Sequence, residues 1–501
     1  MTIERLLKTI SEYLPKKDQT LIIDAYKEAK KIHFGEKRQS GEEYIIHPLT
    51  VAYYLAKEKL DAPTIVAALL HDVIENSPVT IADIKNKFGI EISTLVDGVT
   101  KLNKVRIKDQ WANIEQKELS GSNMPQKSRE EFEQHIDNLR KMFLAMTRDV
   151  RVILIKLADR LHNMQTLQFL PQKKRLSIAQ ETLEIYAPIA YRLGMGEVKG
   201  TLEDLAFPYI YPIQYKKILQ IANKLFPKKE NYIDRFRQLL KKELLREHIE
   251  AEIHGRKKHL YSLWQKLNRY NGDINKIYDI VAIRIIVKNT EECYKVLGII
   301  HKRYKPLLGR IKDYIAVYKP NGYRSLHTTV FGPGGEIVEI QIRTHEMHEQ
   351  AEFGIAAHWH YSTVRNKEPK GKKANISGTQ TDWLKELARW HEKITDSEEW
   401  TRGLKMDFFR DQIFVYTPKG DVINLPADST CVDFAYSIHS EIGNTCIGAK
   451  VNEKMVRLDS KLHNGDIVKV ITGKKVSPKK DWLNFVKSNR AKNQIRAFFM
   501  K

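Results

Sequence analysis

The chain has 501 residues, and 84 Lys and Arg against 62 Asp and Glu give it a formal net charge of +22. That length exceeds what one hydrophobic core organises, so several domains are expected, and 42% hydrophobic with 29% charged residues is a globular balance. No apolar run approaches the roughly 18 residues of a membrane span, the N-terminus lacks a signal-peptide core, and the scattered Cys293, Cys431 and Cys446 exclude a disulfide framework and fit a reducing cytoplasm.

Residues 1 to about 200 read as nearly all helix. Apolar positions recur at helical spacing in LIIDAYKEAKKIHF, PLTVAYYLAKEKL and APTIVAALLHDVIE, with Pro48, Pro63 and Pro78 at helix starts and connections. The polar stretch from Val105 to Arg129 reads as a surface loop, after which EFEQHIDNLRKMFLAM and RVILIKLADRLHNMQTL return to helix. In this region His47 opens one helix, His71 and Asp72 are adjacent inside an apolar helix, and Asp159 follows the apolar IKLA. Two imidazoles and two carboxylates suit a divalent transition ion, leaning toward Mn²⁺, with positions open for water and a phosphate oxygen. The plainer reading is a structural His47, with Asp72 and Asp159 paired to Arg38 or Arg160 to neutralise buried charge. The adjacent His-Asp pair resists it, because burying both without a ligand is costly.

From about residue 230 the strand-like runs IYDIVAIRIIV and GEIVEIQIRT alternate with helical ones, which signals an α/β or α+β domain. GRKKHLYSLWQK sets Arg256, Lys258 and Lys266 among aromatic residues, either a cradle for a triphosphate or a solvated basic helix face. Asp279 precedes VAIRIIV. In IVEIQIRT, period two puts Glu339, Gln341 and Arg343 on one face and Val338, Ile340 and Ile342 on the core side. Carboxylates facing a basic cradle suit Mg²⁺ on nucleotide phosphates; an exposed polar sheet face is the simpler account of the strand. The next loop carries Lys319, Asn321, Tyr323 and His327, where Asn-Gly marks a tight turn and an aromatic ring could stack on a base. The histidines of THEMHEQAEFGIAAHWHY come without cysteine and are not read as a zinc site. STVRNKEPKGKKANISGTQTD reads as a flexible linker and DWLKELARWHEKIT as a helix. A compact unit follows over about 411–473, in which IFVYTP, DVINLP, TCIGAKV and DIVKVIT surround one helix, CVDFAYSIHSEI.

RQSGEEYIIHP, ALLHDVIEN and KLADRLHNMQTL resemble the HD phosphohydrolases and, more closely, the hydrolase domain of the RelA/SpoT alarmone enzymes. The resemblance implies Mn²⁺ on His47, His71, Asp72 and Asp159, nucleotide contacts from Arg38 and Asn163, and Glu75 positioning the attacking water. Where the family has Glu-Asp after the His-Asp pair, this chain has Glu75-Asn76. The second group of segments is similar to the (p)ppGpp synthetase domain of that family. It implies attack of the 3′-hydroxyl of GDP or GTP on the β-phosphate of ATP, with release of AMP. Arg256, Lys258 and Lys266 would hold ATP phosphates, and Asp279 and Glu339 would bind Mg²⁺. Glu339 would also be the base, and Tyr323 would stack on guanine with Lys319, Asn321 and His327 nearby. Arg310-Ile311-Lys312-Asp313 matches the RxKD variant, which in the family accompanies bifunctional enzymes that prefer GDP. The C-terminal module resembles a TGS domain, whose position matching His439 touches deacylated tRNA.

The resemblance covers nearly the whole chain and implies a multidomain protein. Its parts are an all-α HD-type hydrolase domain (1–200), a mixed-sheet, nucleotidyltransferase-like α/β synthetase domain with a helical connector (201–362), a linker and helix (363–410) and a β-grasp TGS domain (411–473). Residues 474–501 read as the truncated start of a helical segment. The function implied is a cytoplasmic bifunctional enzyme that makes and hydrolyses (p)ppGpp, with ribosome and tRNA as further partners and no membrane. The alternatives are a synthetase with a regulatory hydrolase domain, favoured by Asn76, and a non-catalytic ribosome- or tRNA-binding sensor.

Overall fold

Asp61 opens the helix Ala62–Leu70 by accepting from the Thr64 N–H at 3.1 Å, with Pro63 in the first turn, so both ends of the sequence signal are used. The computed structural model describes residues 1–103, 140, 148–319, 321–357, 412–463, 465–474 and 478–500. The loop read from Val105 to Arg129, nearly all of the helix read at EFEQHIDNLRKMFLAM, the linker and the helix after the linker lie outside the described residues. The chain forms two compact units, Met1–Arg389 and Trp390–Lys501.

In the first unit the described residues up to Ile210 are helical, apart from turns and an isolated bridge, as the periodicity requires. The apolar faces of Ile46–Lys57, Ala62–Leu70 and Arg151–Gln165 bury one another. Arg151 ties three segments together, reaching Asp61 at 2.8 Å, Glu91 at 2.7 Å and Asp149 at 2.8 Å. The helix Gly196–Ile210 leads into Pro212–Arg246, which carries Pro227 inside it.

A five-stranded sheet follows in the order β1-β2-β5-β4-β3: β1 (Glu252–Lys257), β2 (Val281–Val287), β5 (Ile337–Thr344), β4 (Leu326–Phe331) and β3 (Lys312–Asp313). Only β2 and β5 run parallel, so the sheet is mixed. Val281, Ile283, Ile285 and Val287 join Val338, Ile340 and Ile342 in a core with Phe236, Leu240 and Leu244 of the long helix. Burying each such side chain contributes roughly 1.5–3 kcal/mol. The opposite face carries the polar side chains, but it is not an exposed polar surface. Gln341 and Arg343 are buried, and the helix His345–Phe353 lies against β2 and β5.

In the second unit β6 (Gln412–Tyr416) and β7 (Val422–Pro426) form a hairpin, and β10 (Val468–Thr472), β8 (Cys446–Val451) and β9 (Lys454–Val456) a three-stranded sheet. A parallel bridge from Tyr416 to Ile467 joins the hairpin to the sheet, around the helix Cys431–Ile438, which is a small β-grasp arrangement. Asp433 is fully buried and accepts from Thr430 N, Thr430 Oγ1, Lys487 N, Ser488 N and Ser488 Oγ. That satisfies a buried carboxylate and draws Trp482, Val486, Ala491 and Ile495 into the same core.

Candidate active sites

His47 is the second residue of the helix Ile46–Lys57, and Asp159 lies within Arg151–Gln165. His71 and Asp72 stand at a break rather than inside one helix: Ala62–Leu70 ends before them and the short Val73–Asn76 begins after them. The break turns both side chains toward the cluster. Ligand atoms of His47, His71 and Asp159 lie within 4.8 Å of one another, all three residues buried. Asp72 completes the group, with Oδ2 at 3.5 Å from His47 Nε2 and Oδ1 at 3.2 Å from His71 Nε2.

The donor set fits a divalent ion. His71 Nδ1 donates to the Ala68 carbonyl at 2.7 Å, which leaves the buried Nε2, otherwise without a hydrogen-bond partner, as the atom it turns toward the cluster. His47 Nδ1 lies 2.7 Å from Nδ1 of His162. Burial, then the neighbouring His47 and Arg38, lower His162 to about 3, so it stays neutral, and its Nδ1 lies within hydrogen-bond distance of both His47 Nδ1 and Arg38 Nη1. The second His47 nitrogen, Nε2, faces Asp159 Oδ1 at 3.2 Å, and the His162 contact on Nδ1 is the kind of outer partner that orients a metal-binding imidazole. Burial pushes the carboxyls of Asp72 and Asp159 up, but His71 and His47 around Asp72, and Lys156 and His47 around Asp159, outweigh it and keep both ionised.

The plain explanation by arginine pairing does not hold. Arg160 pairs with Glu181 at 3.0 Å, and Asp159 Oδ2 is met by Lys156 at 2.6 Å. Arg38 donates to His162 at 2.9 Å and to Asn163 Oδ1 at 2.7 Å, and Asn163 donates on to Asp159 at 2.5 Å. Both expected nucleotide-contact residues therefore sit at the mouth of the cluster. Glu75 and Asn76 are exposed at its rim. Sequence reasoning missed Tyr44, which donates to Asp72 Oδ2 at 2.9 Å, as well as Lys156 and His162. Each stands three residues from a ligand, a spacing that was there to be read.

The polar face of the sheet forms the second site. Arg256 lies on β1, Lys258 at the junction after it, and Lys266 on the helix Leu260–Arg269, so the basic segment is a strand-turn-helix cradle and not one helix face. Lys258 and Lys266 both reach Asp279 Oδ2 at 2.5 Å. Burial raises Asp279, but the two ammonium groups outweigh it and hold the carboxyl down. Burial lowers Lys258 to about 8, in spite of Asp279. Glu339 Oε1 accepts from His327 Nδ1 at 3.2 Å and from Gln341 Nε2 at 3.0 Å, and those bonds overcome burial to keep it strongly acidic. Asp279 and Glu339 each feel the same ammonium, Lys266. Two ionised carboxylates with lysines able to move onto phosphates fit a hard cation.

His327 lies beside Tyr323, as expected, and bridges Glu339 and the Tyr323 hydroxyl, the latter at 2.7 Å from Nε2. The Lys319 ammonium lies over the rings of Tyr314 and Tyr323, at 4.7 and 5.0 Å. Gly322, at φ 77°, makes the Asn-Gly turn, and Asn321 Nδ2 reaches the Tyr191 carbonyl at 3.3 Å. Sequence reasoning also passed over Arg284. Arg284 and Arg343 share Glu352, at 2.9 and 3.1 Å, and their Nε atoms are buried without partners. Burial and Arg284 push Arg343 down to about 10. With Arg256 near them, the face carries surplus positive charge ready for an anion.

His439 lies in the second unit, mostly exposed, between the helices Cys431–Ile438 and Ser440–Asn444, so the single helix read there is broken in two. Among the described residues no helix is long and apolar enough to cross a membrane.

Three families match along the chain: HD domain over residues 25–196, the region found in RelA / SpoT proteins over 255–366, and TGS domain over 413–472. The chain is 46% identical over 497 residues to a GTP pyrophosphokinase of Myxococcus xanthus, covering 99% of this chain and 62% of that protein. It is 44% identical over 499 residues to a guanosine-3′,5′-bis(diphosphate) 3′-pyrophosphohydrolase of Aquifex aeolicus, covering 99% and 67%. With a bifunctional (p)ppGpp synthase/hydrolase SpoT of Escherichia coli it shares 41% over 493 residues, covering 98% and 66%. The chain thus spans about three fifths of the first of these relatives and two thirds of the others.

Proposed function

The chain belongs to the RelA/SpoT family, and from that premise we propose that it both makes and degrades (p)ppGpp. What carries the reading is that one compact unit holds two complete and chemically different sites, a buried His/Asp cluster and a carboxylate-and-lysine sheet face. Relatives that align over nearly the whole chain bear names for each activity.

In synthesis the 3′-oxygen of GDP or GTP bonds to the β-phosphorus of ATP as the bond from that phosphorus to the AMP oxygen breaks. Glu339 takes the 3′-hydroxyl proton, held in place by His327 and Gln341. Arg256, Lys258 and Lys266 hold the donor phosphates, and Asp279 and Glu339 hold Mg²⁺, which supplies charge neutralisation to the triphosphate. Tyr323 stacks on guanine beside Lys319 and Asn321, with Arg310-Ile311-Lys312-Asp313 favouring GDP as acceptor. In hydrolysis the oxygen of water bonds to the phosphorus that carries the 3′-oxygen, the bond from that phosphorus to the 3′-oxygen breaks, and the 3′-oxygen takes up a proton, giving GDP or GTP and pyrophosphate. His47, His71, Asp72 and Asp159 hold Mn²⁺, which supplies Lewis acidity to water and phosphate. Arg38 and Asn163 engage the nucleotide, and Glu75 and Asn76 orient the water.

Residues 1–200 form the hydrolase domain, 201–362 the synthetase domain with its connector, and 411–473 the TGS domain. The TGS domain engages deacylated tRNA through His439, with the ribosome as the larger partner, in the cytoplasm. A second reading, a synthetase with a weakened hydrolase, is favoured by Asn76 alone.

The test is thin-layer separation of products from labelled ATP with GDP, and from labelled ppGpp with Mn²⁺. Asp279→Ala and Glu339→Gln should abolish synthesis and leave hydrolysis largely intact. His71→Ala and Asp72→Ala should remove Mn²⁺ binding and hydrolysis together and preserve synthesis. Loss of both activities in any one folded variant would contradict separate sites.

A further inference from the structure

His259 sits between Lys258 of the cradle and the first residue of the helix Leu260–Arg269, and no role in either reaction uses it. Its imidazole is gripped by one face of the connector helix Gly196–Ile210, whose residues 197, 200 and 204 are spaced to line up along that helix. Asp204 Oδ2 lies 2.9 Å from Nδ1, and Glu197 Oε2 lies 3.6 Å from Nε2. Gly200 makes the approach possible, because a Cβ there would lie 2.2 Å from the His259 ring.

The same carboxylate does a second task. The first N–H groups of a helix lack partners within it, and the His259 side chain does not cap its own helix. Asp204 Oδ1 accepts from the Tyr261 N–H at 2.9 Å instead, so the connector caps the cradle helix from outside. On the other side of the junction the Lys258 N–H donates to the Ile280 carbonyl at 3.1 Å, next to Asp279. The turn between β1 and the cradle helix is thus stapled to the residue before β2 on one side and to the connector on the other. Burial alone would lower the His259 imidazole, but the bonds to Asp204 and Glu197 raise it to about 9, so it is a cation at neutral pH.

We propose that His259 is a positioning residue: held by Asp204 and Glu197, it sets the geometry of Arg256, Lys258 and Lys266 and thereby the affinity for the triphosphate donor. The proposal rests on the synthesis reading above. A misplacement of the turn changes how three cations meet a triphosphate, while leaving the acceptor loop at Lys319–Tyr323 and the base Glu339 in place.

The test uses His259→Gln, which removes the charge, and Gly200→Ala, which displaces the ring without replacing any charged residue. Both are made in the full chain. Synthesis is measured as KM for ATP, KM for GDP and kcat, and binding of a non-hydrolysable ATP analogue with Mg²⁺ by calorimetry. Hydrolysis of ppGpp and the melting temperature are followed alongside. In both variants KM for ATP and Kd for the analogue should rise about tenfold, with kcat, KM for GDP and hydrolysis within about twofold of the parent. Unchanged ATP parameters in a folded variant overturn the proposal. So does a fall in every parameter, hydrolysis included, in step with melting temperature, since that marks a purely structural contact. Failure of the parent chain to form product from ATP and GDP would instead sink the synthesis reading, a result separable from either outcome.

Discussion

Asn76 stands exposed at the rim of the His/Asp cluster, and its side chain meets the Tyr44 hydroxyl that donates to Asp72. An aspartate at this position could accept a proton from water or hold it by a charge-assisted hydrogen bond, whereas asparagine only orients it. General bases commonly contribute about 10²–10⁴-fold, and loss of an orienting charge costs less. Glu75 is adjacent, and His47, His71 and Asp159 cluster with Asp72 beside the two imidazoles, so a working but slowed hydrolase is expected. Asn76→Asp should therefore speed ppGpp breakdown at least several-fold without altering synthesis. An unaltered kcat for hydrolysis at saturating Mn²⁺ would show that the side chain at 76 takes no part in the chemistry.

At the scale of elements, the helix His345–Phe353 matters because its Glu352 is the counter-charge for two buried guanidinium groups. The helix ends at Gly354, whose φ of 57° and ψ of −130° suit glycine alone. A Cβ there would lie 2.1 Å from the Leu193 carbonyl oxygen, and Ile355 N donates to that same oxygen at 2.8 Å. Backbone meets backbone, so no flexible side chain can yield. Gly354→Ala should lower stability by about 2–4 kcal/mol, through strained backbone and overpacking combined. Urea unfolding followed by circular dichroism reads the effect; an unshifted midpoint would mean that the two backbones separate freely at this point.

The whole molecule divides its chemistry between two units, with both candidate catalytic sites in the first and the exposed His439 in the second. The net charge of +22 suits polyanionic partners, but charge spread over a surface does not pick one. A carboxylate placed near phosphates repels them, and His439 belongs to neither catalytic site. His439→Glu should weaken binding of deacylated tRNA while basal synthesis and hydrolysis stay as in the parent. Filter binding across a salt series is the measurement, and equal affinity at every salt concentration would remove the tRNA assignment.

Much was legible because periodicity reports burial. The helical spacing up to about residue 200, the two-residue alternation of IVEIQIRT and the Asn-Gly turn each reflect local backbone geometry, and the described residues keep them. The family could be read as well, since ligand and carboxylate types stand in short contiguous motifs. Contacts between distant segments were not legible. That Arg160 turns to Glu181 and not to Asp159, and that His327 backs Glu339, were settled by which surfaces meet. The grip of Asp204 on His259 joins residues 55 apart in sequence. Local propensity carries no information about such a pair; packing of the connector helix against the cradle brings them together, and only the folded chain contains it.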